Sequence, residues 1–245
     1  MERPVAIARA LAAGALALAV ALAVSGASAA SMRDRMEEIE EAEVLRQVVN
    51  RVASAYGGRA AMETVESHYA RGRAVLRGEE GTFARYFKRG RRLRVDIRLR
   101  GRAEHLALRG AGGLRWTGEG RPAAPATEEA FFEWALLDMP LAIVEGRYRV
   151  SYEGRALAGG EEAQVLGLAQ AGGPPARVFV HARRGVILRV ESGGRAAVFG
   201  DYRKMGGVLY PMAMALYEGG RKAREMAVEE LVVNPEINEE VFGPP

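Results

Sequence analysis

The sequence predicts a mainly β fold with helices (α+β): one antiparallel sheet of roughly a dozen strands, covered by a helix at its start and another in mid-chain. Three observations predict it. A helical repeat between Met36 and Tyr56 gives way to a period of two that continues almost to the end. Glycine pairs punctuate that part at the spacing of a sandwich or barrel. One dense aromatic cluster, Phe131, Phe132 and Trp134 with Leu137, interrupts the strands in a chain that is only 7% aromatic.

The first element is not part of that fold. Arg3 and Arg9 precede a charge-free apolar run from Ala10 to Val24, and Ala27-Ser28-Ala29 lies just ahead of Ala30. A basic start, a short apolar middle and a small-x-small site are the parts of a secretory signal peptide. The apolar run is shorter than the ~20 residues that span a bilayer. Residues 1–29 are therefore expected to be cleaved near Ala29, leaving 30–245 as a single exported domain. The chain has no cysteine, so neither a disulfide nor a cysteine-linked lipid anchor is expected.

The amphipathic helix places Met36, Ile39, Ala42, Leu45, Val49, Val52 and Tyr56 three or four apart, and Gly57-Gly58 ends it. A short helical piece over Arg59–Val65 follows. The clearest strand comes next: Leu93, Val95, Ile97 and Leu99 alternate with Arg92, Arg94, Asp96 and Arg98, giving one apolar and one charged face. Further strands are expected at His68–Arg77, Thr82–Lys88, Ala103–Arg109 and Leu114–Thr117. A helix over Glu128–Leu137 carries the aromatic cluster, and Asp138-Met139-Pro140 is expected to close it. Strands resume at Arg147–Tyr152, Ala163–Ala169, Ala176–His181, Val186–Glu191, Arg195–Tyr202, Leu209–Tyr217 and Arg221–Val233. An irregular tail, Asn234–Pro245, ends the chain.

Catalytic constellations are missing from this pattern. Ser54, Ser67, Ser151 and Ser192 lie in no G-x-S-x-G context. His68, His105 and His181 fall on three different strands, without H-x-H or H-E-x-x-H spacing, so no metal site is expected. Asp34, Asp96, Asp138 and Asp201 mark no carboxylate pair, and no phosphate-binding glycine loop occurs. The reading is therefore of a non-enzyme without a cofactor. The formal charge is +4, and the only lysines are Lys88, Lys204 and Lys222, so arginine supplies nearly all the positive charge. An exported chain of this kind has no expected nucleic-acid partner, whereas transient contact with an anionic membrane surface fits the charge.

The apolar material suggests what the domain holds. A sheet with one apolar face and two helices to cover it makes either a plain core or a greasy cavity with a helical lid. In the second case Leu93, Val95, Ile97, Leu99, Leu106, Leu108 and Trp116 are the expected wall, and Phe131, Phe132, Trp134 and Leu137 the lid. Each buried methylene contributes about 0.8 kcal/mol, enough for such a cavity to hold an acyl chain.

Three blocks carry a resemblance. They are Val48–Gly58 leading into Val65-Glu66-Ser67, then Gly200-Asp201-Tyr202-Arg203-Lys204-Met205-Gly206-Gly207-Val208-Leu209-Tyr210-Pro211, then Val228–Pro235 with Ile237 and Val241-Phe242. In these the chain resembles the LolA-like superfamily of periplasmic lipoprotein carriers. The resemblance implies an incomplete, strongly curved antiparallel barrel whose open side is plugged by helices. It implies that lipoprotein or lipid acyl chains are bound inside, for transfer through the periplasm towards the outer membrane. The implied partners are an inner-membrane exporter and an outer-membrane acceptor, with the carrier itself a monomer. Sensor domains of the same fold supply a second reading, a non-enzymatic lipid- or lipoprotein-sensing module.

Overall fold

The computed structural model describes residues 32–33, 35–118, 124–169 and 174–244. The expected leader and its cleavage site lie outside the described residues. The chain divides into two compact units, Met1–Val44 and Leu45–Pro245. In the first, residues 35–44 are helical, and Met36 and Ile39 are exposed.

Helix α1 (residues 45–55) buries Val48 and Val52, with Tyr56 just beyond its end; Val52 and Tyr56 turn inwards as the spacing suggested, while Val48 takes the place expected for the half-buried Val49. A single turn, α2 (Arg59–Glu63), leads into five strands: β1 (Ser67–Leu76), β2 (Glu79–Lys88), β3 (Arg92–Leu99), β4 (Arg102–Arg109) and β5 (Gly112–Thr117). A two-residue strand, β6 (Ala124–Pro125), precedes helix α3 (Thr127–Val144). The remaining strands are β7 (Arg149–Ala158), β8 (Glu161–Ala169), β9 (Ala176–His181), β10 (Ile187–Ser192), β11 (Arg195–Met205), β12 (Val208–Glu218) and β13 (Arg221–Val233). A 3-10 turn, Glu239–Phe242, lies in the tail.

All thirteen strands belong to one antiparallel sheet in the order β6-β5-β4-β3-β2-β1-β13-β12-β11-β10-β9-β8-β7. It does not close, since β6 and β7 each have a neighbour on one side only. It does curl. Leu108 of β4 and Val190 of β10 line the same cleft beneath α3, although seven strand steps separate those strands in the sheet. Seven steps of ~4.8 Å would hold them roughly 34 Å apart in a flat sheet. The result is the expected curved, incomplete barrel with helices over its open side.

Register shifts, where one strand carries an extra residue, promote the curl. They occur at Arg71/Gly72 between β1 and β13, at Ile187/Arg189 between β10 and β9, and at Leu216/Tyr217 between β12 and β13. At the first of these only glycine fits, because a Cβ on Gly72 would lie 2.0 Å from the Ala227 carbonyl oxygen. Helix α1 is tied on by a tyrosine ring of hydrogen bonds. The Ile187 N–H donates to the Tyr56 hydroxyl (3.3 Å), Tyr56 to the Tyr202 hydroxyl (3.5 Å), and Tyr202 to the Ile187 carbonyl.

The tail covers the face of β2–β4 that points away from α3. Glu239 accepts from Lys88 and Arg92 (2.8 and 2.7 Å), and those two cations hold its carboxyl down at about 2. Arg94 donates to the Val241 and Gly243 carbonyls (3.1 and 3.0 Å), and Phe242 is buried.

Gly72→Ala is expected to destabilise the fold by roughly 1–3 kcal/mol, the cost of overpacking a site that cannot give way. Gly78→Ala, at a turn with open space around it, should cost only about 1 kcal/mol, the penalty of a left-handed φ. Urea unfolding midpoints of the two variants measure the difference.

Candidate functional site

Helix α3 defines the site. It starts with Glu128 and Glu129 in its first turn, where carboxylates suit the positive end of the helix dipole. The expectation that Pro140 closes it is corrected: Pro140 lies inside an 18-residue helix that runs on to Val144. A proline there removes one backbone hydrogen bond and costs about 3 kcal/mol. Leu141, Ala142 and Ile143 beyond it are all buried, and their burial offsets that cost.

The face of the sheet beneath α3 carries Leu93, Val95, Ile97 and Leu99 of β3, paired in register with Leu108, Leu106, Glu104 and Arg102 of β4. The six apolar residues among these that were expected as wall are all buried on that one face. Trp116 is not with them. It pairs with His105, which pairs with Asp96, and this places it on the opposite, charged face. There it stacks on His105 at 5.1 Å beneath the Arg94 guanidinium. Nothing in the sequence around Trp116 tells which of its two faces it takes, because Arg115 and Trp116 are equally placed to turn inwards.

The lid residues divide among several environments. Phe131 and Phe132 are half-buried and line a cleft of about 600 Å³ between α3, β4 and β8–β10, together with Leu108, Met139, Leu168 and Val190. Arg91, Glu128 and Arg195 supply its charged rim. Trp134, only 7% exposed, belongs to an aromatic stack instead. His68 lies 4.6 Å from Phe87, Phe87 6.3 Å from Trp134, and Trp134 5.8 Å from Phe131. The Trp134 indole N–H donates to the Lys88 carbonyl (3.3 Å), pinning α3 to β2. Leu137 lines a second, inner cavity of about 70 Å³. Val95, Ile97, Leu106 and Phe132 line a third of about 40 Å³. An apolar cavity of about 150 Å³ accepts benzene, so with α3 seated neither small space holds an acyl chain, whereas the cleft is several times that size.

Charge at the heart of this apolar face is what the sequence reading missed. Glu133 of α3 forms an ion pair with Arg224 of β13, with side chains 2% and 8% exposed. Arg85 of β2 is 5% exposed, has no ion-pair partner among the described residues, and leaves its Nε without a hydrogen bond. Burial lowers its pKa to about 10, against the raising effect of Glu133, so it stays charged at neutral pH. Beside it in the inner cavity are His68 and Tyr210, whose Nδ1 and hydroxyl are buried and unpartnered, and Arg89. Burial, and then Arg85, push the His68 imidazole well below its usual pKa. Burial drives the Tyr210 hydroxyl up to about 12. A signal for Arg85 was present: Phe83-Ala84-Arg85-Tyr86-Phe87 alternates so that the arginine shares a face with both phenylalanines.

The three histidines have separate surroundings: His68 under α3, His105 against Asp96 (2.6 Å) and His181 against Glu161 (2.9 Å). Among the described residues no group of three or more metal-ligating side chains forms.

The sequence matches no family model and no curated protein. Solved structures do match in fold. A LolA superfamily protein, NE2245 from Nitrosomonas europaea, superposes with a TM-score of 0.51 at 8% identity, over 81% of this chain and 96% of that one. A DUF1329 family protein from Desulfovibrio piger superposes with a TM-score of 0.52 at 11% identity, over 81% of this chain and 97% of the other. The fold is LolA-like.

Glu133→Ala is expected to cost about 3–5 kcal/mol, because it strands two guanidiniums in an apolar interior. Glu133→Leu with Arg224→Met should recover most of that loss in guanidinium unfolding. His68 carries a pH signature. As pH falls through about 6.5 the unfolded chain takes up a proton that folded His68 refuses, so its contribution is full above that pH and is lost below it. Between about pH 7.5 and 5.5 the melting temperature of the wild type should therefore fall more than that of His68→Phe.

Proposed function

We propose that this chain is an exported, non-catalytic carrier that takes up acyl chains of lipids or lipoproteins beneath α3. The observation that supports this most directly is the cleft of about 600 Å³, walled by Leu108, Phe131, Phe132, Met139, Leu168 and Val190, in the gap of an unclosed barrel. An interior built only for stability would be filled at that place. The basic, apolar and small-residue segments of 1–29 support export to the periplasm as a cleaved domain. Transfer towards an outer membrane, with an inner-membrane exporter as donor and an outer-membrane protein as acceptor, is taken from the LolA-like resemblance of the three sequence blocks, and the shared fold is compatible with it. In this reading the wall is Leu93, Val95, Ile97, Leu99, Leu106 and Leu108. Phe131, Phe132 and Leu137 move with α3, and Trp134 anchors it.

The small inner spaces favour one alternative. A barrel whose interior is largely occupied by its own side chains suits a lipid- or lipoprotein-sensing module that signals to a protein partner. Native mass spectrometry of the mature protein, purified without detergent, separates the two. A bound acyl species at fixed stoichiometry is expected for the carrier. A clean apo mass, unchanged after incubation with lipoprotein and lipid vesicles, would transfer the conclusion to the sensor. With a fluorescent polyene fatty acid as probe, Phe132→Ala should weaken binding about tenfold or more, the equivalent of losing much of one buried aromatic side chain. Unchanged affinity would remove the cleft from the binding site.

A further inference from the structure

We infer that Arg85, with His68 and Tyr210 beside it, forms a subsite beneath α3 for the anionic headgroup of the cargo, so that the carrier selects phosphate-bearing amphiphiles over neutral acyl glycerides. This rests on the carrier reading and adds the class of ligand.

Beneath α3 lie two buried guanidiniums, Arg85 and Arg224, and two buried carboxylates carried by the helix: Glu133, which pairs with Arg224, and Asp138, which lines the cavity of Arg85 but is held by Arg147. A buried charge is retained at a cost of several kcal/mol unless something neutralises it. For Arg224 that partner is Glu133; Arg85 forms no ion pair among the described residues and has Glu133 only as a more distant counter-charge.

His68 Nδ1, Tyr210 Oη and Arg85 Nε are all buried without hydrogen bonds, and all three residues line one cavity of about 70 Å³. Buried polar groups are satisfied in nearly every native structure, so such a cluster marks a place where a polar ligand or water completes the set. A guanidinium, a hydroxyl and an imidazole together can donate several hydrogen bonds to a phosphate oxygen shell, and a guanidinium fork fits phosphate in particular.

Glu133, which pairs with Arg224 and also acts on Arg85, is carried by α3 itself. Phe132, next to it in sequence, lines both the acyl cleft and the space around Glu133 and Arg224. An acyl chain that displaces α3 withdraws Glu133 and leaves two unneutralised cations on an apolar surface. A neutral amphiphile cannot compensate for that loss. An anionic headgroup can, by taking the place that Glu133 leaves.

The test compares ligands that share one acyl chain, by titration calorimetry with the delipidated mature protein. They are a monoacylglycerol phosphate and the corresponding monoacylglycerol, with inorganic phosphate alone as a third probe. The phosphate-bearing lipid is expected to bind at least tenfold more tightly than the monoacylglycerol. Arg85→Met should abolish the difference by weakening only the former, while the melting temperature stays level or rises because an uncompensated buried charge has gone. If Arg85→Met does not fold, Arg85→Lys, which keeps the charge without the fork, should retain part of the preference. Equal binding of the two lipids would overturn the headgroup subsite and leave the carrier standing. Binding of neither lipid would overturn the carrier and the subsite with it. Inorganic phosphate binding as tightly as the lipid phosphate would make this a free-anion site and overturn the lipid assignment. A preference that survives both substitutions unchanged would take Arg85 out of it.

Discussion

A thirteen-stranded sheet that curls without closing has one apolar face that the sheet cannot bury on itself, and the rest of the structure follows from that constraint. Side chains fill small barrels, and water or ligands fill wide ones. This one lies between, and its helices make up the difference. Helix α1 is held by the Tyr56–Tyr202–Ile187 hydrogen bonds at one end of the opening, and α3 spans the middle. The cover is incomplete, and what it leaves is the cleft.

The attachment of α3 is mixed in character. The Trp134 stack on Phe87 is apolar and directional, and ordinary core chemistry explains it. The Glu133–Arg224 pair is different: a buried ion pair is a poor device for stability but a good one for fixing a single register. It contributes most when intact and costs most when half-broken.

The sequence was legible wherever one physical signal dominated. The alternation of Leu93, Val95, Ile97 and Leu99 located β3 to the residue, and paired glycines located most turns. Boundaries failed where local rules competed with burial. Pro140 reads as a stop, yet the apolar residues beyond it keep α3 going. Strand β7 runs to Ala158 although its later residues alternate only weakly, because pairing with β8 sustains it. Beneath α3, the apolar face shared by β3 and β4 could be read from alternation, and so could the inward turn of Arg85 between two phenylalanines. Glu133 and Arg224 sit among many arginines and glutamates of the same local appearance, and only the assembled sheet brings them together. Trp116 failed for a related reason: a short strand has two faces and its neighbours did not choose between them.

The strand order has a consequence for how the molecule comes into being. Strand β13 lies between β1 and β12, so the last strand to emerge during synthesis joins the two halves of the sheet. Before it arrives, β1–β6 and β7–β12 are separate sheets, each with an open edge at the future seam. Non-local pairings of this kind form late and slowly, because the whole intervening chain must be looped before they contribute anything. A nascent chain of this topology therefore keeps its sheet unfinished until β13 is available. That interval keeps it threadable, and it also leaves two unpaired edges that a chaperone would have to shield.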